Sequence, residues 1–155
     1  MENFGVAKGD IFKSFPKEIP QLSIINYPLS IRASAREMAI WRVISQMDLF
    51  SFFLHDEYEC KFRKMLTIEQ FSNEELAQIF SHQYIDEPLK YQTGLFQMIL
   101  MQGQMKKEEE HIMALQFYSP IYLLLTLCDR EPQREKEALQ LLEKHIRQFN
   151  RMYKG

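Results

Sequence analysis

Two apolar segments separated by a short polar link constrain this chain more than any other feature of its sequence. Residues 109–127 are apolar on nearly every side, and a helix of that kind has to be covered on nearly every side. Glu108, Glu109 and Glu110 stand at its start, where carboxylates favour the positive end of the helix dipole. Pro132 opens the next segment, in which Leu139, Leu142, Ile146, Phe149 and Tyr153 recur at spacings of 3, 4, 3 and 4. That is a heptad seam, and Leu141, His145 and Met152 widen it. Only Asp129-Arg130-Glu131 lies between the segments, so the two helices are expected to be antiparallel neighbours. Such a pair is either the core of a monomer or half of a four-helix dimer interface.

The segments upstream also read as helix. Over residues 33–54, Met38, Trp41, Ile44 or Ser45, Asp48 or Leu49, and Phe52 recur at helical spacing. Ser34 with Glu37 three residues on forms a capping box. A shorter helix over residues 57–68 follows a break at His55-Asp56. Ser72-Asn73-Glu74-Glu75 is a second capping box, and it starts a helix with Leu76, Ile79, Phe80 and Tyr84 on one face. Pro88 is placed to begin or kink the following segment. There Leu89, Thr93, Phe96 and Leu100 make one stripe, with Leu95, Ile99 and Gln102 beside it. Gly103 closes the segment where a left-handed backbone is needed. The one short β-compatible stretch, residues 22–29, is bracketed by Pro20 and Pro28 and reads as an irregular connection.

Composition supports an all-α domain and excludes several functions. The 155 residues suffice to remove roughly 70% of the unfolded surface from water, and Gly 5 and Pro 6 leave little for the turns of a sandwich or barrel. Nineteen Lys and Arg against 21 Asp and Glu give a net charge of −2, unlike the dense basic excess of a free-standing nucleic-acid binder. Cys60 and Cys128 make neither a disulfide framework nor a zinc set, which suits a reducing compartment. Met1 to Phe15 lacks the long apolar run of a signal peptide. The most apolar stretch, Ile112 to Cys128, is interrupted by Gln116, Ser119 and Pro120 and falls short of the ~20 residues of a membrane span. A soluble, cytoplasmic chain is expected. Gly5 and Gly9 are not followed by a Lys-Ser/Thr pair, so no phosphate loop is present. His55, His82, His111 and His145 lack zinc-ligand spacing, and His55 with Asp56, Glu57 and Glu59 reads as a solvated helix start. No residue is given a catalytic or metal-binding role, and no cofactor is expected. The oddity is a supply of Phe 12, Tyr 7 and Met 9 against one Trp.

Three segments carry a resemblance. Phe62-Arg-Lys-Met-Leu-Thr-Ile-Glu-Gln-Phe71, followed by Ser-Asn-Glu-Glu-Leu76, is similar to the middle of the ligand-sensing domain of TetR-type transcriptional regulators. Ala114-Leu-Gln-Phe-Tyr-Ser-Pro-Ile-Tyr-Leu-Leu-Leu125 resembles a later part of the same domain, and Glu137-Ala-Leu-Gln-Leu-Leu-Glu-Lys-His-Ile-Arg-Gln-Phe149 its last helix. The match covers about Ser30 to Tyr153. It implies an all-helical domain that dimerises through its last two helices and holds a small effector among its middle helices. The candidate pocket residues are Trp41, Phe53, Phe62, Tyr84, Phe96, Ile99, Tyr118 and Tyr122. The candidate dimer residues are Tyr118, Ile121, Leu125, Leu139, Leu142, Ile146, Phe149 and Tyr153.

Gly5-Val-Ala-Lys-Gly-Asp-Ile-Phe-Lys-Ser-Phe15 is similar to the turn and reading helix of the same family's DNA-binding domain, with Lys8, Asp10, Phe12 and Lys13 toward DNA. The helices that hold a reading helix against the groove have no counterpart before it, and the sequence from Pro16 to Pro28 replaces the family's long connecting helix. Residues 1–29 are therefore expected to be a remnant of a helix-turn-helix unit plus an irregular connection. Residues 30–155 are expected to be the sensing and dimerisation domain. Lys8, Lys13, Lys17, Arg32 and Arg36 against Glu2, Asp10 and Glu18 add little phosphate affinity, so DNA binding is expected only if the missing helices are supplied. The expected partners are a second copy of the chain and a small-molecule effector, with no membrane. The alternative is a helical interaction module without a ligand, forming homo- or heterodimers.

Overall fold

The structure is a computed structural model that describes residues 34–155. The expectations for Lys8, Asp10, Phe12 and Lys13, and for the connection over residues 22–29, lie outside the described residues. Within them the chain is all-helical: α1 (Ala35–His55), α2 (Glu57–Glu69), α3 (Glu74–Ser81), a π-helical turn (His82–Asp86), α4 (Glu87–Met101), α5 (Glu110–Arg130), a 3-10 turn (Pro132–Arg134) and α6 (Glu135–Met152).

Local chemistry sets most of these boundaries. Ser34 accepts from the Glu37 amide at 3.1 Å and its hydroxyl donates to the Glu37 carboxylate. Asp56 ends α1 and caps α2, accepting from the Glu59 amide at 2.9 Å. The second cap falls one residue later than expected: Asn73 accepts from the Leu76 amide, while the Ser72 hydroxyl donates back to the Glu69 carbonyl. Gly103 has φ of +70°. Its amide bonds the Leu100 carbonyl and the Gln104 amide bonds that of Ile99, the two bonds of a Schellman cap.

Pro88 neither breaks nor starts an isolated helix. α3, the π turn and α4 run on as one rod with Pro88 in the first turn of α4. A proline at 88 denies a donor to the carbonyl of Tyr84, and the widened turn just before it turns that carbonyl to a partner outside the rod. α5 runs to Arg130, three residues past its expected end, and only Glu131 separates it from the 3-10 turn. Of the three glutamates at its start, only Glu110 lies in the first turn.

The main core lies between α1, α4, α5 and α6. Phe96, Phe117 and Phe149 meet at centroid distances of 5.0–5.6 Å, joining α4, α5 and α6 through aromatic pairs worth about 0.5–1.5 kcal/mol each beyond their burial. A second core of Phe62, Met65, Leu66, Leu76, Phe80 and Tyr84 fills the angle between α2 and α3, and Phe53 packs against both.

Three faces depart from expectation. On α1 the buried residues are Met38, Arg42, Val43, Ser45, Gln46 and Phe50; Met38 and Ser45 lie where the spacing puts them, while Ile44 and Asp48 face outward and Trp41 and Phe52 are half-buried. On α4 they are Gln92, Leu95, Phe96 and Ile99, with Leu89, Thr93 and Leu100 at the edges. Among the described residues α5 is not covered on nearly every side: Ile112, Leu115 and Leu123 are exposed, Leu123 at 65%.

Candidate functional site

The second core holds a polar network that apolar patterning does not announce. Arg63, on α2, is 2% exposed. Its guanidinium grips both carboxylate oxygens of Asp129 from the last turn of α5, with Nε to Oδ2 at 2.6 Å and Nη2 to Oδ1 at 2.7 Å. Nη1 reaches Glu59, one turn earlier on α2, at 3.5 Å. The same Glu59 oxygen accepts from the Tyr84 hydroxyl at 2.8 Å. Tyr118, on α5, donates its hydroxyl to the Tyr84 carbonyl, the group that Pro88 leaves without its helical donor. Five side chains thus tie α2, the π turn and α5 together.

The electrostatics follow from burial among few charges. Desolvation would lower the Arg63 guanidinium, but the hydrogen bonds and charge of Asp129, with further charge from Tyr84 and Glu59, outweigh it and hold it above its ordinary value. Burial raises the Glu59 carboxyl, against the pull of Tyr84 and Arg63. Burial also raises the Tyr84 phenol, helped by the charge of Glu59, and raises that of Tyr118. A bidentate arginine–carboxylate pair is geometrically demanding, and a buried ion pair adds little net stability over well-packed apolar side chains, while losing one partner is costly. Single-turn π insertions are found often at functional sites, and here one presents Tyr84 to both α2 and α5.

The expected pocket residues fall into two groups. Phe62 and Tyr84 are buried in the second core, where Tyr122 and Phe53 pack against them. Phe96 and Ile99 are buried in the main core at 0% and 1% exposure, with Trp41 and Tyr118 at its border. The expected dimer residues mostly serve the chain itself: Ile121, Leu125, Leu142, Ile146 and Phe149 are buried in the main core, and Tyr118, Leu139 and Tyr153 are half-buried. On α6 the buried face is Ala138, Leu142, Ile146 and Phe149, so the heptad seam turns inward and Leu141 and Met152 stay exposed.

The reading of residues 55–59 as a solvated helix start is corrected for Glu59, which takes part in the network. His55 pairs with Glu135 at 2.6 Å. Cys60 is half-buried and donates to the Leu54 carbonyl, and Cys128 is buried. Among the described residues no three His, Cys, Asp or Glu side chains gather as metal ligands. α5 is long and apolar enough to cross a membrane by length and composition alone, a property that a core helix shares.

Arg63 and Asp129 escaped the sequence reading. Glu59 and Arg63 stand four apart on one helix, a local signal of pairing. Asp129 stands 66 residues from Arg63 and nothing local links them. Compared with protein-family models, curated proteins and solved structures, the chain finds no match.

Proposed function

We propose that this chain is the effector-sensing and dimerising part of a TetR-type transcriptional regulator. The observation that carries the reading is the linked set of Tyr118, Tyr84, Glu59, Arg63 and Asp129 beside the aromatic side chains Phe62, Phe80 and Tyr122. An apolar effector with one polar group, entering beside Tyr118 and Tyr122, competes for the Tyr118 hydroxyl and frees the Tyr84 carbonyl. The π turn and α5 then shift against each other. Such an effector biases the molecule only as far as it binds the two arrangements unequally. The same order of segments that carries the resemblance runs through α2, α3, α5 and α6, which supports the reading. A second copy would cover the apolar side chains of α5 and α6 that residues 34–155 leave open, Leu115, Leu123 and Leu141. The reading assigns no DNA contact to residues 34–155.

The alternative, an interaction module without ligand, is favoured by one observation: Phe96 and Ile99 are packed solid in the main core. A thermal-shift screen of the full chain against small apolar and aromatic compounds separates the two. The sensor reading expects a specific stabiliser whose effect shrinks in Tyr118→Phe, since a ligand bound to the native state alone raises stability by about 2.7 kcal/mol at 100 times its Kd. If no compound stabilises the chain, the module reading stands.

A further inference from the structure

Arg42 and Arg63 are equally buried, at 3% and 2% exposure, yet among the described residues only Arg63 of the two has a carboxylate partner. Arg63 holds Asp129 in a bidentate pair. Arg42 donates from Nε to the Asn150 side-chain oxygen at 2.8 Å, and its buried Nη1 finds no hydrogen-bond partner among the described residues. Burial pulls its ordinarily high pKa down to about 10, with no carboxylate opposing. Buried charges are costly unless paired. An unpartnered guanidinium nitrogen therefore points to an anion that belongs there.

The surroundings suit one. Arg42 lines a cleft of about 450 Å³ where the start of α1, the segment after α4 and the end of α6 meet. Volumes of this order fit a small ligand. Arg36, Arg151 and Lys154 line the same cleft, and no Asp or Glu among the described residues does so, although the chain as a whole carries two more acids than bases. Ala35 and Ala39 keep one wall low, and Met105 and Tyr153 supply apolar surface. The floor is firm: the Lys106 amide bonds the Tyr153 carbonyl at 2.7 Å, and Asn150, which holds Arg42, also donates to the Ala39 carbonyl at 3.0 Å.

We infer that this cleft binds a small organic acid, its carboxylate seated on the edge of the Arg42 guanidinium that Asn150 leaves open, its apolar body against Met105 and Tyr153. One buried cation matches one monoanion, and the planar fork suits a carboxylate. Arg36, Arg151 and Lys154 at the walls attract the acid from solution and make its capture sensitive to salt. The inference stands apart from the sensor reading, whose network lies around α2 and the π turn.

Calorimetric titration of the full chain with benzoate and hexanoate, against benzamide, hexanamide and inorganic phosphate, tests it. The carboxylates are expected to bind and the amides to fail, with phosphate weaker than either acid. Arg42→Lys keeps the charge but loses the fork, and is expected to weaken carboxylate binding about tenfold or more. Should Arg42→Lys fail to fold by circular dichroism, the surface variant Arg36→Gln/Arg151→Gln/Lys154→Gln decides, with weaker and salt-insensitive binding expected. Amides binding as well as acids, phosphate binding better than both, or carboxylate affinity unchanged in the variant that folds would each overturn the inference. So would no binding at all.

Discussion

Asp129→Ala removes the carboxylate that neutralises Arg63 and leaves the guanidinium almost fully buried, with only the 3.5 Å contact to Glu59 for charge. Two short bonds, at 2.6 and 2.7 Å, are lost together. Breaking one side of a buried pair costs about 3–5 kcal/mol, because the surviving charge stays desolvated. For a chain of this size, at about 2–4 °C per kcal/mol, the melting temperature falls by roughly 6–20 °C. The double replacement Arg63→Met/Asp129→Leu removes both charges and is expected to lie within about 2 kcal/mol of the parent, since buried pairs are close to neutral against well-packed apolar side chains. Urea unfolding followed by circular dichroism, at one fixed protein concentration, measures both variants. A cost below about 1 kcal/mol for Asp129→Ala, the range of a surface ion pair, would refute the claim that Arg63 is held out of water. A double variant as unstable as the single one would refute the charge argument and leave shape as the cause.

Four further outcomes follow from single groups. Tyr118→Phe leaves the Tyr84 carbonyl without the donor it has in place of Pro88 and costs about 1–3 kcal/mol in the same unfolding assay; no change would mean that water replaces the phenol freely. The Glu59 carboxyl is raised from its ordinary 4.5 by burial, so its contribution is present below that pH and is lost as pH rises through the raised value. Glu59→Gln, which still accepts from Tyr84, is therefore at least as stable as the parent at pH 7 and loses that advantage at pH 4, and urea melts giving the opposite order would sink the assignment. Gly103→Ala, at φ of +70° with open space around its Cβ, costs about 1–2 kcal/mol of backbone strain, whereas Gly94→Ala, inside α4 and equally open, gains about 0.5–1 kcal/mol.

What the sequence made legible was local. Ser34 and Gly103 specify their helix ends through contacts three to five residues away, and both behave as their types require. The antiparallel pairing of α5 and α6 was also readable, because so short a link allows nothing else. The faces of α1 and α4 depart from the apolar spacing for one reason: Arg42, Gln46 and Gln92 are buried, and apolar periodicity counts a buried polar residue as an outward one, whereas Ser45, one of the two alternatives at its turn, is buried as that spacing allows. Ile40 and Ile44 err in the opposite sense, being apolar and exposed. The network at Arg63 depends on Asp129, 66 residues away, and on a carbonyl released by Pro88, and neither relation leaves a periodic trace. The heptad seam of α6 was visible but its partner was not, since the same spacing serves an intrachain core and a dimer alike.

Self-association is the claim on which the sensing and dimerising account most depends. Leu123, 65% exposed in the most apolar helix, is the side chain that a second copy should cover. Sedimentation velocity on the full chain at tens of micromolar is expected to give a dimer of twice 18.6 kDa. Leu123→Glu should convert it to monomer with unchanged helicity. A strict monomer at that concentration, or a dimer indifferent to Leu123→Glu and Leu141→Glu alike, would contradict the account.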